Sequence, residues 1–342
     1  MPENVVANQN VSKLTKKDFT SDQEVRWCPG CGDYSILAQT QKVLPELGIP
    51  KENIVFVSGI GCSSRFPYYI DSFGIHGIHG RAPAIASGIK LANSDLKVFI
   101  VTGDGDGLSI GGNHLIHLFR RNLDVTVLLF NNRIYGLTKG QYSPTSERGK
   151  ITKSSPYGSL ENPFNPVKVA LAAGATFVAR SIDREPKHLA DIIKRASEHT
   201  GTSFVEIYQN CNIFNDGTFG QLTDSKTKKD HVINMEDGKP YIFGSESDKV
   251  LAFENGQFHV EKYIESDSQI IHEPKKINTS IEFALAELTE NEQLPAPIGV
   301  FKEEDKKTYD GLLIKQVNNV KEKQGSGDLK KLLFSGNTWE IK

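Results

Sequence analysis

The stretch that decides the fold is "LKVFIVTGDGDGLSIGGNHLIHLFRRNLDVTVLLFNN", residues 96–132. It opens on an apolar, β-branched run at 98–101 and closes on another at 125–130. Neither run alternates with polar residues. Continuous apolar strands of this kind are buried on both faces of a parallel sheet. Between them lie the glycine loop "GDGDG" (103–107) and a helical stretch over 109–122. Strand, crossover helix and strand make one βαβ unit, so the two strand ends lie side by side.

The same alternation extends in both directions. Upstream, 33–47 reads as a helix with Asp33 as its cap, 53–59 as a buried strand and 82–93 as a helix of small residues. Residues 59–82 form a Gly/His-rich loop, and 133–165 a polar one. Downstream, "PVKVALAAG" and "PKHLADIIKRASEHTG" read as helices alternating with the strands "ATFVARS" and "TSFVEIYQN". The pattern predicts an α/β, doubly wound parallel sheet covered on both faces. Beyond residue 225 the alternation fades into short strands or a hairpin, and 303–330 reads as a charged, extended or helical tail. We therefore expect an N-terminal arm (1–20), a main domain (21–225) and a C-terminal extension (226–342).

The 342 residues suffice for one large α/β domain with an appendage. With 40 basic against 42 acidic residues the net charge is −2, which argues against nucleic acid or an anionic membrane as the main partner. The longest apolar run, 125–130, is far too short for a bilayer, and the first 20 residues do not read as a signal peptide. We expect a cytoplasmic protein, where thiols stay reduced.

Ligands of parallel sheets bind beyond the carboxyl ends of the strands. Cys62, Asp104, the pair Asn131-Asn132 and Cys211 all fall there. The dinucleotide fingerprint GxGxxG fails, because position 108 is Leu108. Glycines at a strand end let backbone N–H groups approach phosphate. A carboxylate in such a loop repels a diphosphate unless a divalent cation lies between them. Mg²⁺ takes oxygen ligands and shares them with phosphates. Asp104 suits one position, an asparagine oxygen from the neighbouring strand end a second, and a carbonyl of the following turn a third. A solvated turn beside an Asn-rich turn would leave that pairing a coincidence.

"WCPGCGDYSIL" (27–37) puts Cys28 and Cys31 on a Pro-Gly turn. A lone CxxC suits zinc, a redox dithiol or an iron–sulfur ligand pair. The other two cysteines are distant singles, Cys62 and Cys211, both at strand ends on the expected ligand face. Zinc ribbons use two close pairs instead. Four thiolates meeting there could hold a 4Fe–4S cluster.

The segment from Gly103 to Leu137 resembles the thiamine-diphosphate motif, GDG followed by NN. With "GIGCSSR", "HGRAPAIASGIKLA", "YGLTKGQYSPTS", "EIYQNCNIFND" and "LLFSGNTWEI", nearly the whole chain resembles the β subunit of 2-oxoacid:ferredoxin oxidoreductases. The resemblance implies a thiamine-diphosphate-binding fold with a C-terminal extension. It implies Mg²⁺ held by Asp104, Asn132 and Ile134, the last two 28 and 30 residues after the aspartate, with Asn131 as a substitute. It implies that Cys28, Cys31, Cys62 and Cys211 ligate the 4Fe–4S cluster. Ile60, Gly61, Cys62 and Ser63 should touch thiamine diphosphate, with His79, Gly80 and Arg81 on its diphosphate side. Gly105 and Asp106 should border the phosphates, and Gly136 and Leu137 the thiazolium. Arg65 is the candidate for the substrate carboxylate, against the plainer reading of a surface ion pair. His76, His114 and His117 read as core or helix-face residues. Arg120 and Arg121 end a helix, where cations favour its dipole.

The reaction so implied is oxidative decarboxylation of a 2-oxoacid, 2-oxoglutarate by preference, with coenzyme A, yielding succinyl-CoA and CO₂. Electrons pass through the cluster to ferredoxin. Only one half of a thiamine site is legible, so an α subunit should supply the other, in an (αβ)₂ assembly. The alternatives are a pyruvate or broad-range member, a non-redox thiamine-dependent decarboxylase, and a zinc-stabilised binding module.

Overall fold

The computed structural model describes residues 14–266, 269–291 and 293–341. Residues 1–13 of the expected arm lie outside this range. Residues 14–20 pack onto the domain: Phe19 is fully buried and Thr20 bridges Ile70.

The main-domain elements follow in chain order. They are α1 (Asp33–Val43), β1 (Ile54–Ser58), β2 (Phe73–His76), α2 (Ala82–Ala92), β3 (Lys97–Gly103), α3 (Asp104–Leu108), α4 (Gly112–Arg121), β4 (Val125–Asn131), α5 (Pro166–Ala172), β5 (Phe177–Ile182), α6 (Pro186–Glu198) and β6 (Thr202–Tyr208). Then come α7 (Gly220–Thr223), α8 (Lys228–His231), β7 (Val232–Met235), β8 (Ile242–Phe243), β9 (Lys249–Glu254), β10 (Gln257–Lys262), α9 (Thr279–Glu287), β11 (Ala296–Glu303), α10 (Tyr309–Gln324) and α11 (Leu329–Leu333). The central sheet runs β2-β1-β3-β4-β6-β5-β11-β7, and β10-β9-β8 form a small antiparallel sheet.

Strand alternation builds the two layers. Val98 and Ile100 of β3 and Val125 and Val127 of β4 face α2, α4 and α5. Phe99 and Val101 of β3, with Leu128 and Phe130 of β4, join Ile36 and Leu37 of α1 and Leu189 and Ile193 of α6 on the other side. The expected neighbours β3 and β4 are paired in parallel from Val98↔Val125 to Gly103↔Phe130. The chain moves from β1 outward to β2, then crosses back to place β3 on the other side of β1. That reversal opens a crevice at the carboxyl ends of β1 and β3.

Three features differ from the sequence reading. β2 lies inside the expected loop, where its glycine and full exposure hide the strand pattern. α9 and β11 were not anticipated, and β11 contains Pro297 and a left-handed Gly299 (φ 123°). β11 runs antiparallel to β5 and parallel to β7, so the sheet is mixed at one edge. Both strands come from beyond residue 225 yet extend the central sheet. No helix among the described residues is long and apolar enough to cross a membrane.

Candidate functional site

A cavity of about 530 Å³ opens at the carboxyl ends of β1, β3 and β4. From the loop after β1 it takes Ile60, Gly61, Cys62 and Ser63; from the segment before α2, His79. From the turn after β3 it takes Asp104, Gly105 and Asp106, and from the loop after β4 Asn132, Ile134, Gly136 and Leu137. Twelve residues anticipated from scattered segments thus line one cavity. Gly80 and Arg81 do not. The Gly80 N–H donates to Asp106 (2.7 Å), and the Arg81 guanidinium lies beside His114 (2.5 Å). Arg65 sits half-buried in the turn after Cys62, also off the cavity wall.

The two loop aspartates do different work. Asp104 is buried, and one oxygen, Oδ2, accepts from both Ser143 (2.5 Å) and Thr145 (2.6 Å). Burial pushes its carboxyl up to about 6, the two hydroxyls opposing the shift. A buried carboxylate beside an asparagine is a donor set for a hard divalent cation. Asp106 instead binds protein. Its Oδ1 accepts from the N–H groups of Ile60 (3.0 Å) and Gly80 and from His79 Nδ1 (2.7 Å), and its Oδ2 from Thr102 Oγ1 (2.6 Å). It ties the loop after β1 and the loop before α2 to β3. The glycines make room: a Cβ on Gly59 would stand 2.1 Å from the Asp106 carboxylate, and one on Gly105 2.2 Å from the Tyr135 ring.

Asn131 and Asn132 diverge. Asn132 lines the cavity, and its Oδ1 accepts from the Ile134 N–H (3.1 Å). Asn131 turns away. Its amide donates to Glu206 (2.7 Å), while its oxygen accepts from Thr145 (2.9 Å). Glu206 is held in turn by Arg180 (2.7 Å), in an ion pair with both side chains 1% exposed.

None of the four cysteines is in a disulfide, and Cys62 lines the cavity. A Cβ on Gly136 would lie 3.5 Å from Cys62 Sγ and 3.6 Å from Cys211 Sγ. Cys31 accepts from Gln209 Nε2 (3.2 Å), and its N–H donates to the carbonyl of Cys28, which is exposed. Burial pushes the Cys62 thiol up to about 12, with the nearby Asp33 adding and Arg65 opposing; burial raises Cys31 as well. Such thiols shed their protons readily only beside strong positive charge, as metal supplies. Among the described residues no three His, Cys, Asp or Glu side chains converge on a single ion.

Sequence reasoning misplaced Asp33. It is the first residue of α1, not its cap; the cap is Gly32, whose Cβ would collide with Asp183 at 1.9 Å. The Asp33 carboxyl is buried, lines the cavity and leaves Oδ2 unpartnered. Burial raises it to about 7. Ser143, Thr145 and Tyr135 were also missed as site residues. "SPTS" sits in a family-like stretch that carries no legible role, and nothing local marks a hydroxyl 39 residues from its carboxylate.

The chain is similar to known proteins along most of its length. Residues 59–207 match the family described as thiamine pyrophosphate enzyme, C-terminal TPP binding domain. The chain is 51% identical over 329 residues to the 2-oxoglutarate oxidoreductase subunit KorB of Mycobacterium tuberculosis, covering 95% of this chain and 88% of that protein. It is 49% identical over 211 residues to the 2-oxoacid:ferredoxin oxidoreductase 1, subunit beta, of Aeropyrum pernix; that match spans 62% of this chain and just under two thirds (65%) of that relative. A solved structure, the 2-oxoglutarate:ferredoxin oxidoreductase from Magnetococcus marinus with 2-oxoglutarate, coenzyme A and succinyl-CoA bound, superposes with a TM-score of 0.75 at 34% identity, over 96% of this chain and 98% of that one. The fold, the cavity at the switch point and this identity along nearly the full length place the chain in the β-subunit family of the 2-oxoacid:ferredoxin oxidoreductases.

Proposed function

We propose that the chain is the cofactor-carrying β subunit of a 2-oxoglutarate:ferredoxin oxidoreductase, converting 2-oxoglutarate and coenzyme A to succinyl-CoA and CO₂ and passing electrons to ferredoxin. The observation that carries the reading is one cavity at the carboxyl end of the sheet lined by Asp104, Asn132 and Cys62, with the Cys211 sulfur beside it at Gly136. The full-length relatives support the choice of 2-oxoglutarate.

Thiamine diphosphate, when bound, supplies the nucleophilic carbon that adds to the 2-oxoacid carbonyl, and a 4Fe–4S cluster takes up electrons singly. The residues present fit both groups. Asp104, Asn132 and Ile134 would hold Mg²⁺ against the diphosphate, with Ser143 and Thr145 keeping the Asp104 carboxylate aimed. Asp106 ties together the loop after β1 and the loop before α2, between which the diphosphate would lie. Cys28, Cys31, Cys62 and Cys211 would ligate the cluster, and Gly136 lies beside the sulfurs of Cys62 and Cys211. Arg65, whose charge acts on Cys62, remains the candidate for the substrate carboxylate.

An α subunit would supply that closure, in an (αβ)₂ assembly. Apolar side chains stand exposed on the cavity wall and on the loops next to its lining segments: Leu137 at 45%, Ile78 at 68% and Ile110 at 51%. Surface of this kind marks an interface. The test is dye reduction by purified chains with thiamine diphosphate and Mg²⁺. Activity should require both subunits, 2-oxoglutarate and coenzyme A together. Full activity from this chain alone, or turnover of pyruvate in preference, would contradict the reading. The second outcome would favour the broader 2-oxoacid activity named for the Aeropyrum relative.

A further inference from the structure

Residues 211–215 form a small closed turn: the Asn215 N–H donates to the Cys211 carbonyl at 3.0 Å. Two asparagines leave this turn in different directions. The Asn212 amide donates to the Pro29 carbonyl at 2.6 Å, inside the Cys28–Cys31 loop. The Asn215 amide donates to the Asn132 carbonyl at 2.9 Å and the Arg133 carbonyl at 3.4 Å, inside the turn that carries Asn132 and Ile134. Asn215 is buried, and its own oxygen accepts from Lys150 Nζ at 2.5 Å, which fixes the amide's orientation.

The receiving turn needs such support. Arg133, between Asn132 and Ile134, holds φ at 55°, a left-handed conformation that a residue with a Cβ rarely adopts. Its carbonyl also accepts from Ser146 Oγ at 2.6 Å. Its guanidinium lies 4.9 Å from the Phe219 ring centre. The turn is therefore shaped by its neighbours, and one of those neighbours is the Cys211 turn.

We infer that Asn215 is a positioning residue that locks the cation turn to the cysteine turn, so that one side-chain amide sets the spacing between the group that releases electrons and the group that receives them. The inference rests on the reading of the two sites given above. Asn212 does the corresponding work between the two cysteine loops and leaves the cation turn alone.

The test uses the assembled complex, with Mn²⁺ in place of Mg²⁺ as a spectroscopic probe. In Asn215→Ala the Mn²⁺ and thiamine diphosphate affinities should fall about tenfold, as for other outer-shell partners of a metal site. Iron content should stay unchanged, and the thermal midpoint should fall modestly, because a buried amide with three hydrogen bonds is lost. Reduction of the cluster by 2-oxoglutarate should slow by a similar factor. Asn215→Asp keeps the shape and replaces the N–H donor with an oxygen facing two carbonyls; its added charge alone would tighten Mn²⁺, so weaker Mn²⁺ binding isolates the lost hydrogen bond. Asn212→Ala should leave Mn²⁺ affinity unaltered and change the cluster's spectrum. Mn²⁺ and thiamine diphosphate affinities within twofold of the parent in both Asn215 variants would overturn the inference. A parent complex that binds neither iron nor Mn²⁺ would overturn the functional reading itself.

Discussion

At the residue scale the loop "GDGDG" holds two carboxylates with opposite duties. Asp104 has one oxygen saturated by hydroxyls and faces the cavity, whereas both oxygens of Asp106 are used by protein donors. Asp104→Asn should therefore weaken thiamine diphosphate and Mg²⁺ binding about 100-fold, the upper range for metal-site changes, with the fold intact by circular dichroism. Asp106→Asn should instead loosen the loops and lower the thermal midpoint, because a carboxylate accepting four donors cannot be replaced by an amide. Gly105→Ala should disturb cofactor binding through Tyr135, and removing that ring in Gly105→Ala/Tyr135→Ala should restore part of the loss; no rescue would mean that the collision of a Cβ with the ring is not the cause. Much of this was legible early, because a glycine loop with an inward carboxylate makes little sense without a cation. The division between Asp104 and Asp106 was not: it depends on Ile60, Gly80, Ser143 and Thr145, which sequence distance conceals. Asp33 misled for a physical reason, since an acidic residue opening a helix ordinarily caps it.

At the scale of elements, apolar runs and glycine ends foretold β1, β3, β4, β5 and β6 with their crossover helices. β11 escaped because Pro297 and Gly299 break the apolar pattern, and no single sequence records that an antiparallel strand closes on β5. The strands carry one further device. Arg180 on β5 and Glu206 on β6 form a buried pair that also holds Asn131 at the end of β4. Truncating one partner strands the other charge in the core. Glu206→Ala should destabilise the protein by about 3–5 kcal/mol in denaturant unfolding, and Glu206→Gln by less. A loss under about 1 kcal/mol in Glu206→Ala would show that the pair is not sealed from water.

At the scale of the molecule, buried histidines contribute to the response to acid, against the opposite contribution of the buried Asp33 and Asp104 carboxyls. Burial holds His272 and His199 below the usual imidazole range. The sign follows from linkage: the unfolded chain takes up protons first, so stability present above the unfolded value near pH 6.5 is lost as pH falls below it. His272→Gln should reduce that acid loss by up to about 1.4 kcal/mol per pH unit, the limit for one proton. An unchanged pH slope would mean that His272 charges as easily in the folded state. The larger claim is the proposed one: that this chain carries one half of a redox site, with Asp104 and Cys62 lining a cavity that a partner would close. The anaerobic visible spectrum of the chain co-purified with its α subunit tests that claim most directly, before and after 2-oxoglutarate and coenzyme A are added. The account predicts a broad brown absorbance that bleaches on addition of the two together. A colourless protein that carries zinc in place of iron, from an oxygen-free preparation, would contradict it.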